Sequence, residues 1–430
     1  MKLRYLILTI LVIAILVYFL KPNKLHQNAT GADNAYKVFI SENLGETYET
    51  KIREWATENN QKIQVQSEEN NADIIVSKTK ISNYKSQEVG KLYLNSYENQ
   101  GNYEYIRKYD SVYLNFKTNK IDKLVSKYSQ NTWNMFAAGD IMLARHVGVK
   151  MANLNDYQMP FKYLAKTISQ YDVAFANLES PFSETAQPTD TGMVFGAEPK
   201  AVEGLKTAGF DVLSLANNHF GNQQNAGMSY TMKLLTQNEI GYTGAGETNK
   251  TSCEPKIIDV KGLKIAFLAV DGVDSTPVSY RADDKYPGLC SWQQIALINR
   301  GLENAKKTAN LTVISMHAGT EYTPKHRADQ EDFAHEMIDS GADLIIGSHP
   351  HVAQDFEYYK NGLIFYSLGN FVFDQYWSEE TQQGLTLNIN FDYNQIQSFK
   401  INPIAINSNS QPNFAPESVI KEVMTRIGTK

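Results

Sequence analysis

Near the start of the chain an uncharged apolar run extends from Tyr5 to Leu20, with Lys2 and Arg4 before it and Lys21 and Lys24 after it. A membrane-spanning helix wants roughly 17 to 25 apolar residues. The run is at the short end of that range, which also suits the core of a secretion signal. The stretch "VYFLKPNK" (Val17–Lys24) at its end is bulky and basic, without the small residues a signal peptidase needs. The expectation is an uncleaved anchor over residues 1–24. Basic charge is nearly balanced across the run and does not orient it; the long hydrophilic chain behind it argues for export. This gives a single-pass cell-membrane protein with its bulk extracytoplasmic.

The polar stretch "HQNATGADNA" (His26–Ala35) then reads as a linker, set over 25–34. Short alternating runs follow: "YKVFIS", "KIQVQS", "ADIIVS", "KLYLNSY" and "SVYLNF" predict strands, and "ETYETKIREWATEN" an amphipathic helix. They form a small α/β domain over 35–130, with no histidine and no clustered carboxylates. Its tyrosines alternate with polar residues, as strand packing requires. Its role is not legible.

From about Trp133 the rhythm changes to continuous apolar runs, the mark of strands buried on both faces. Each run ends in a residue able to bind metal or carry protons. "MFAAGD" ends in Asp140, "VAFANLE" in Asn177 and Glu179, and "VLSLANNH" in Asn217, Asn218 and His219. "LTVISMH" ends in His317, "ADLIIGSHPH" in His349 and His351, and "GLIFYSLGN" in Asn370. Helical patterns lie between them, such as "AVEGLKTAG" and "QEDFAHEMIDSG", the latter stopped by Gly341. Alternating strands and helices predict a layered α/β domain over 131–408, followed by a tail over 409–430. Ligands of such sheets sit beyond the carboxyl ends of the strands.

Taken singly, each of these residues has a structural use. A histidine satisfies backbone groups well, and Asp140 or Asn218 can cap a helix. Together they point to metal. Of the 8 histidines, His219, His317, His349 and His351 fall at apolar strand ends, whereas His326 and His335 read as helix surface.

Composition adds limits. At 430 residues the chain can hold two or three domains. A net charge of −6 gives no electrostatic case for nucleic acid. Cys253 and Cys290 are the only cysteines. Export would let them pair; otherwise they are two unpaired small apolar side chains.

The motifs "GDIMLARHV", "NLESPFSE", "LANNHFGN", "HAGTEY", "GADLIIGSHPHV" and "YSLGNFVFDQ" together resemble, in unbroken order from about Asn134 to Asp374, the CapA family of capsule and poly-γ-glutamate biosynthesis proteins. That resemblance implies a four-layer α/β/β/α sandwich similar to calcineurin-like metallophosphoesterases, with two divalent ions (Mn, Fe or Zn). It implies that Asp140 and His351 hold one ion, that Glu179 bridges, and that Asn218, His317 and His349 hold the other. His219 would then protonate the leaving group and Arg145 bind an anionic oxygen. Asn177, Asn217, Glu321 and Asn370 are expected around the substrate.

The chain departs from the phosphoesterase pattern at four places. Met142 stands where a histidine is usual, and Glu179 replaces a bridging Asp. Phe220 follows His219 in place of an acid, and Asn222 stands where relatives carry Asp. Three function classes remain. One is an envelope hydrolase of an anionic exopolymer or phosphoester. The second is a non-catalytic component that holds or exports such a polymer alongside other capsule-synthesis membrane proteins. The third is a generic nucleotide or phospholipid phosphoesterase. The intact site residues favour the first.

Overall fold

The structure, a computed structural model, describes residues 132–186 and 192–428 and, before them, the backbone of seven strands. The apolar run Tyr5–Leu20, the linker and the helix expected at "ETYETKIREWATEN" lie outside the described residues. Among the described residues no helix is long and apolar enough to cross a membrane. The chain divides into two units near residue 131.

In the first unit, β1 (Tyr36–Ile40), β2 (Ile63–Gln66), β3 (Ile74–Ser77), β4 (Glu88–Leu92) and β7 (Val112–Phe116) make a sheet ordered β2-β1-β3-β7-β4. β1 runs parallel to β2 and β3, whereas β7 is antiparallel to β3 and β4. A hairpin joins β5 (Ser96–Asn99) to β6 (Glu104–Lys108). The run "KLYLNSY", expected as one strand, is divided between β4 and β5.

The second unit is an α/β fold. Its strands are β8 (Thr132–Ile141), β9 (Val173–Leu178), β10 (Val212–Ser214), β11 (Gly241–Thr243), β12 (Ala245–Gly246), β13 (Lys256–Val260), β14 (Leu263–Asp271) and β15 (Gly288–Leu289). They continue with β16 (Leu311–His317), β17 (Leu344–Ser348), β18 (Phe356–Tyr359), β19 (Gly362–Phe365), β20 (Asn370–Val372), β21 (Gln383–Asp392), β22 (Gln395–Ile406) and β23 (Pro412–Phe414). One sheet runs β11-β10-β9-β8-β21-β22, and the other β13-β14-β16-β17-β19-β18. The central strands of both are parallel: β8 to β11 in one, and β14, β16, β17 and β19 in the other. Of these, β8, β9, β16 and β17 are buried along nearly their whole length, which is why they read as unbroken apolar runs rather than alternating ones.

The two sheets face each other through aromatic contacts. Phe175 on β9 stacks on Phe267 on β14, with ring centroids 5.5 Å apart. Phe356 and Phe365 pack edge-on against Phe399 of β22. Helices cover the outer faces. The helix Ile295–Thr308 buries Ile298, Gly301, Leu302 and Ala305, the i, i+3, i+4, i+7 stripe of an amphipathic helix. They join a core shared with β14, β16 and the helix Ala328–Asp339. Cys253 and Cys290 are joined by a disulfide that closes a loop of sequence separation 37. The segment set apart as a tail supplies β23, which pairs with β22, and the helix Glu417–Arg426, whose Val423 and Met424 are buried.

Parallel strands align their carboxyl ends. β8 and β9 place Asp140 beside Asn177, and β16 and β17 place His317 beside Ser348. Two glycines let loops come close at this edge. A β-carbon on Gly139 would fall 1.8 Å from the Gly369 carbonyl oxygen, and one on Gly347 1.9 Å from that of Tyr366. Neither contact is possible with a side chain present. The approach of Gly369 also gives the Asp140 amide its acceptor, at 3.0 Å.

Candidate metal centre

Asp140 and Glu179 are both fully buried at adjoining strand ends. Asp140 is partly satisfied: Oδ1 accepts from Asn177 Nδ2 at 2.8 Å, and Oδ2 from the His349 amide at 3.3 Å. Neither carboxylate oxygen of Glu179 meets a donor. Burial, and next the neighbouring Asp140 charge, push its carboxyl well above the usual range. A buried carboxylate without donors costs several kcal/mol unless a proton or cation compensates it.

The imidazoles surround that pair. His351 Nε2 lies 3.7 Å from Glu179 Oε1, and its Nδ1 3.5 Å from Asp140 Oδ2. Asp140, Glu179 and His351 each offer a ligand atom, all within 4.8 Å of one another. On the other side, His317 Nε2 lies 3.0 Å from Asn218 Oδ1. Two ligand atoms bonded at about 2.1 Å and at right angles on one ion would be about 3 Å apart. The His349 ring sits between the two groups, 4.9 Å from that of His317 and 6.1 Å from that of His351. Its Nδ1 is buried without a partner. Burial first, and then the neighbouring imidazoles, lower the pKa of His349 to about 3 and that of His317 well below the usual value. Both are neutral at physiological pH, the state in which imidazole ligates.

Backbone geometry explains the HPH spacing. His349 and His351 take positive φ values of 99° and 59°, a conformation costly for a residue with a side chain and concentrated at functional sites. The two imidazoles thereby turn off the end of β17 toward the carboxylates instead of continuing the strand's regular alternation.

Supporting contacts fix the tautomer of His351 and hold the ring of His317. Asn370 Nδ2 donates to Gln375 Oε1 and to the Thr381 carbonyl, so its Oδ1 accepts from His351 Nδ1 at 2.9 Å. His351 Nε2 is left free toward Glu179. Ser348 Oγ and Asn177 Nδ2 approach His317 Nδ1 at 2.8 and 3.3 Å, leaving Nε2 for the Asn218 side. Asn217 Nδ2 donates to Asn177 Oδ1 and to the Leu178 carbonyl. Asn177, Asn217 and Asn370, placed around the substrate on sequence grounds, are thus buried and bonded to ligand candidates or to the chain that carries them. Glu321 is partly exposed, and its charge is felt by Glu179 and Tyr322.

His219 stands apart from both groups. Its ring stacks on Phe195 at 3.9 Å, and Nε2 lies 3.9 Å from Glu179 Oε1. Asn222 Oδ1 accepts from the Phe195 amide at 2.7 Å, so it also takes the Nδ1 proton of His219, at 2.9 Å. Burial lowers the pKa of His219 to about 4, and Asn222 offers an acceptor but no charge to oppose that. Arg145 is ion-paired with Asp374, and its guanidinium lies 4.8 Å over the Phe195 ring. Met142 is buried with its sulfur 3.2 Å from the Ala144 amide, turned to local backbone.

The donor set, two carboxylates, three imidazoles and an amide oxygen with three unpartnered buried atoms among them, fits divalent cations of the Mn, Fe and Zn kind. Sequence reasoning missed Ser348, Phe195, Asp374 and Gln375, whose apolar or loop settings carry no signal of their own. Asn222 was visible only as a departure.

The capsule biosynthesis protein CapA of Bacillus anthracis is 35% identical over 258 residues, 58% of this chain and 62% of its own length. The PGA biosynthesis protein CapA of Bacillus subtilis (strain 168) is 30% identical over 310 residues, 71% of this chain and 80% of its own. Among solved structures, a putative 5'-nucleotidase from Staphylococcus aureus aligns at a TM-score of 0.42 and 14% identity, covering 69% of this chain and 58% of that one. The bacterial capsule synthesis protein PGA_cap family model matches residues 134–375, the stretch from β8 past β20 that contains every candidate ligand, and the chain belongs to that family.

Proposed function

We propose that the chain is a metal-dependent hydrolase of an anionic, amide-linked exopolymer of the poly-γ-glutamate kind, acting outside the cell membrane. The observation that carries the reading is the unpartnered Glu179 carboxylate in one site with the neutral imidazoles of His317 and His349. A site built only for structure would give such a group its donors. The order helix, sheet, sheet, helix supports a four-layer α/β/β/α metallophosphoesterase-like sandwich. Two ions are proposed: Asp140 and His351 hold one, Asn218, His317 and His349 the other, and Glu179 lies between. When bound, such ions supply Lewis acidity toward the scissile group and its attacking water.

The chain's own residues do the rest. Hydrolysis adds water across the scissile bond, and the leaving group needs a proton. Nε2 of His219 faces the site and can hold that proton while Nδ1–H stays bonded to Asn222. Because Asn222 is uncharged, the substrate's own negative charge must help keep the proton there. Arg145, braced by Asp374 and Phe195, orients an anionic group at the rim. The apolar run Tyr5–Leu20 supports a membrane anchor, and the Cys253–Cys290 disulfide agrees with an oxidising compartment.

A second reading, a non-catalytic polymer-handling component, is favoured by Met142 and Asn222, which remove a donor and a charge from the phosphoesterase pattern. Metal analysis of the purified chain, paired with hydrolysis assays on poly-γ-glutamate and on generic phosphodiesters, separates them. Cleavage of the polymer supports the first reading, bound metal without any hydrolysis the second, and cleavage of phosphodiesters alone a generic phosphoesterase.

A further inference from the structure

His326 and His335 lie outside the centre, and a group of carboxylates gathers around them. On the helix Ala328–Asp339, Glu331 and His335 are four residues apart and share one face. Glu357 on the edge strand β18 meets them, and the three residues offer ligand atoms all within 4.8 Å of one another. His335 Nε2 lies 2.7 Å from Glu357 Oε1, and His326 Nε2 3.4 Å from Glu331 Oε2.

We propose that Glu331, His335 and Glu357 form a second and peripheral cation site that takes a zinc-like divalent ion. The supporting contacts orient these donors. His326 Nδ1 lies 2.7 Å from Asp355 Oδ1, and the ring stacks on Tyr366 at 3.8 Å. Its Nε2 faces Glu331, so the ring links that ligand to Asp355. His335 stacks on Tyr359 at 3.6 Å, and the buried Tyr366 hydroxyl donates to Glu357 Oε1 at 2.5 Å. An imidazole on one ligand carboxylate and a hydroxyl on another are contacts that orient metal ligands.

Charge points the same way. Three carboxylates, Glu331, Asp355 and Glu357, surround two imidazoles, and among the described residues no Lys or Arg is ion-paired with any of them. Mixed imidazole and carboxylate donors suit zinc rather than magnesium or calcium, which prefer oxygen alone. Side-chain exposures from 21% to 46% leave a path for an ion from solvent. Bound there, it would tie the helix Ala328–Asp339 to the edge strand β18.

The test counts zinc bound to the full-length chain by equilibrium dialysis at neutral pH, with zinc as the only added metal. His335→Ala and Glu357→Gln should each bind one equivalent fewer than wild type, and this loss should add to that caused by His349→Ala. Glu331→Gln, an exposed change that spares the fold, should weaken the peripheral equivalent at least tenfold. Protonation of both imidazoles is the rival way to settle the charge. It leaves zinc stoichiometry and affinity unchanged in His335→Ala and Glu331→Gln, and that result overturns the proposal.

Discussion

His351 Nδ1 donates to Asn370 Oδ1 at 2.9 Å, and this one contact decides which nitrogen of His351 faces Glu179. Without it the ring is free to flip its tautomer and its χ2. Supporting residues of this kind typically alter metal affinity 10- to 100-fold. Asn370→Ala should therefore weaken metal binding by about that factor while leaving the fold intact. Competition against a chelator of known affinity measures it, and an unchanged affinity would assign Asn370 to structure alone.

His219 separates binding from turnover. It touches neither ligand group closely, so His219→Ala should keep the metal and lower hydrolysis by about 10²- to 10⁴-fold, the usual span of a general acid. Asn222→Asp, which places a negative charge on Nδ1, should raise the pKa of His219 and move the activity profile to higher pH. A His219→Ala variant that turned over normally would remove the proton-transfer role.

How much of this was legible in the sequence follows from what repeats locally. Asp140, Glu179, His317, His349 and His351 stood out because each ends an apolar run, and parallel strands bring such ends together. The direction of a side chain at a strand end is not local information. Asn177 and Asn217 looked like substrate contacts, yet they turn inward to bond Asp140 and each other. His335 read correctly as helix surface, but its partner Glu357 comes from a strand whose register no pattern reveals. Asp374 and Phe195 escaped for the same reason: each acquires its role only when a distant loop docks on Arg145 or His219.

The second sheet carries a pH-dependent term far from the centre. Asp343 accepts from the Thr312 amide at 2.8 Å, and burial raises its pKa to about 6. A raised carboxyl stabilises the fold fully below its unfolded pKa, and that contribution is lost as pH rises through the folded value. Between pH 4 and 7 the wild type should lose about 3 kcal/mol relative to Asp343→Asn, at about 1.36 kcal/mol per pKa unit. Urea melts of both proteins across that range check it; parallel curves would contradict it.

The disulfide should matter to stability rather than to chemistry. It joins the segment before β13 to the one after β15, and Gly301 of the covering helix packs directly on the Cys253 carbonyl. Closing a loop of this length contributes about 4 kcal/mol by chain entropy. Cys253→Ala/Cys290→Ala should lower stability by about that amount and leave metal content unchanged. Calorimetry and metal analysis of the same sample decide both halves.

The central claim is that the strand-end carboxylates and imidazoles hold metal as one unit. The most direct measurement is the divalent metal content of the purified full-length chain, taken in the His335→Ala background so that the peripheral cluster contributes nothing. Two equivalents of Mn, Fe or Zn per chain are expected, falling by at least one on adding His349→Ala while circular dichroism stays unchanged. A chain that binds no divalent ion at micromolar free metal, or one whose content is the same with and without His349, would contradict the account.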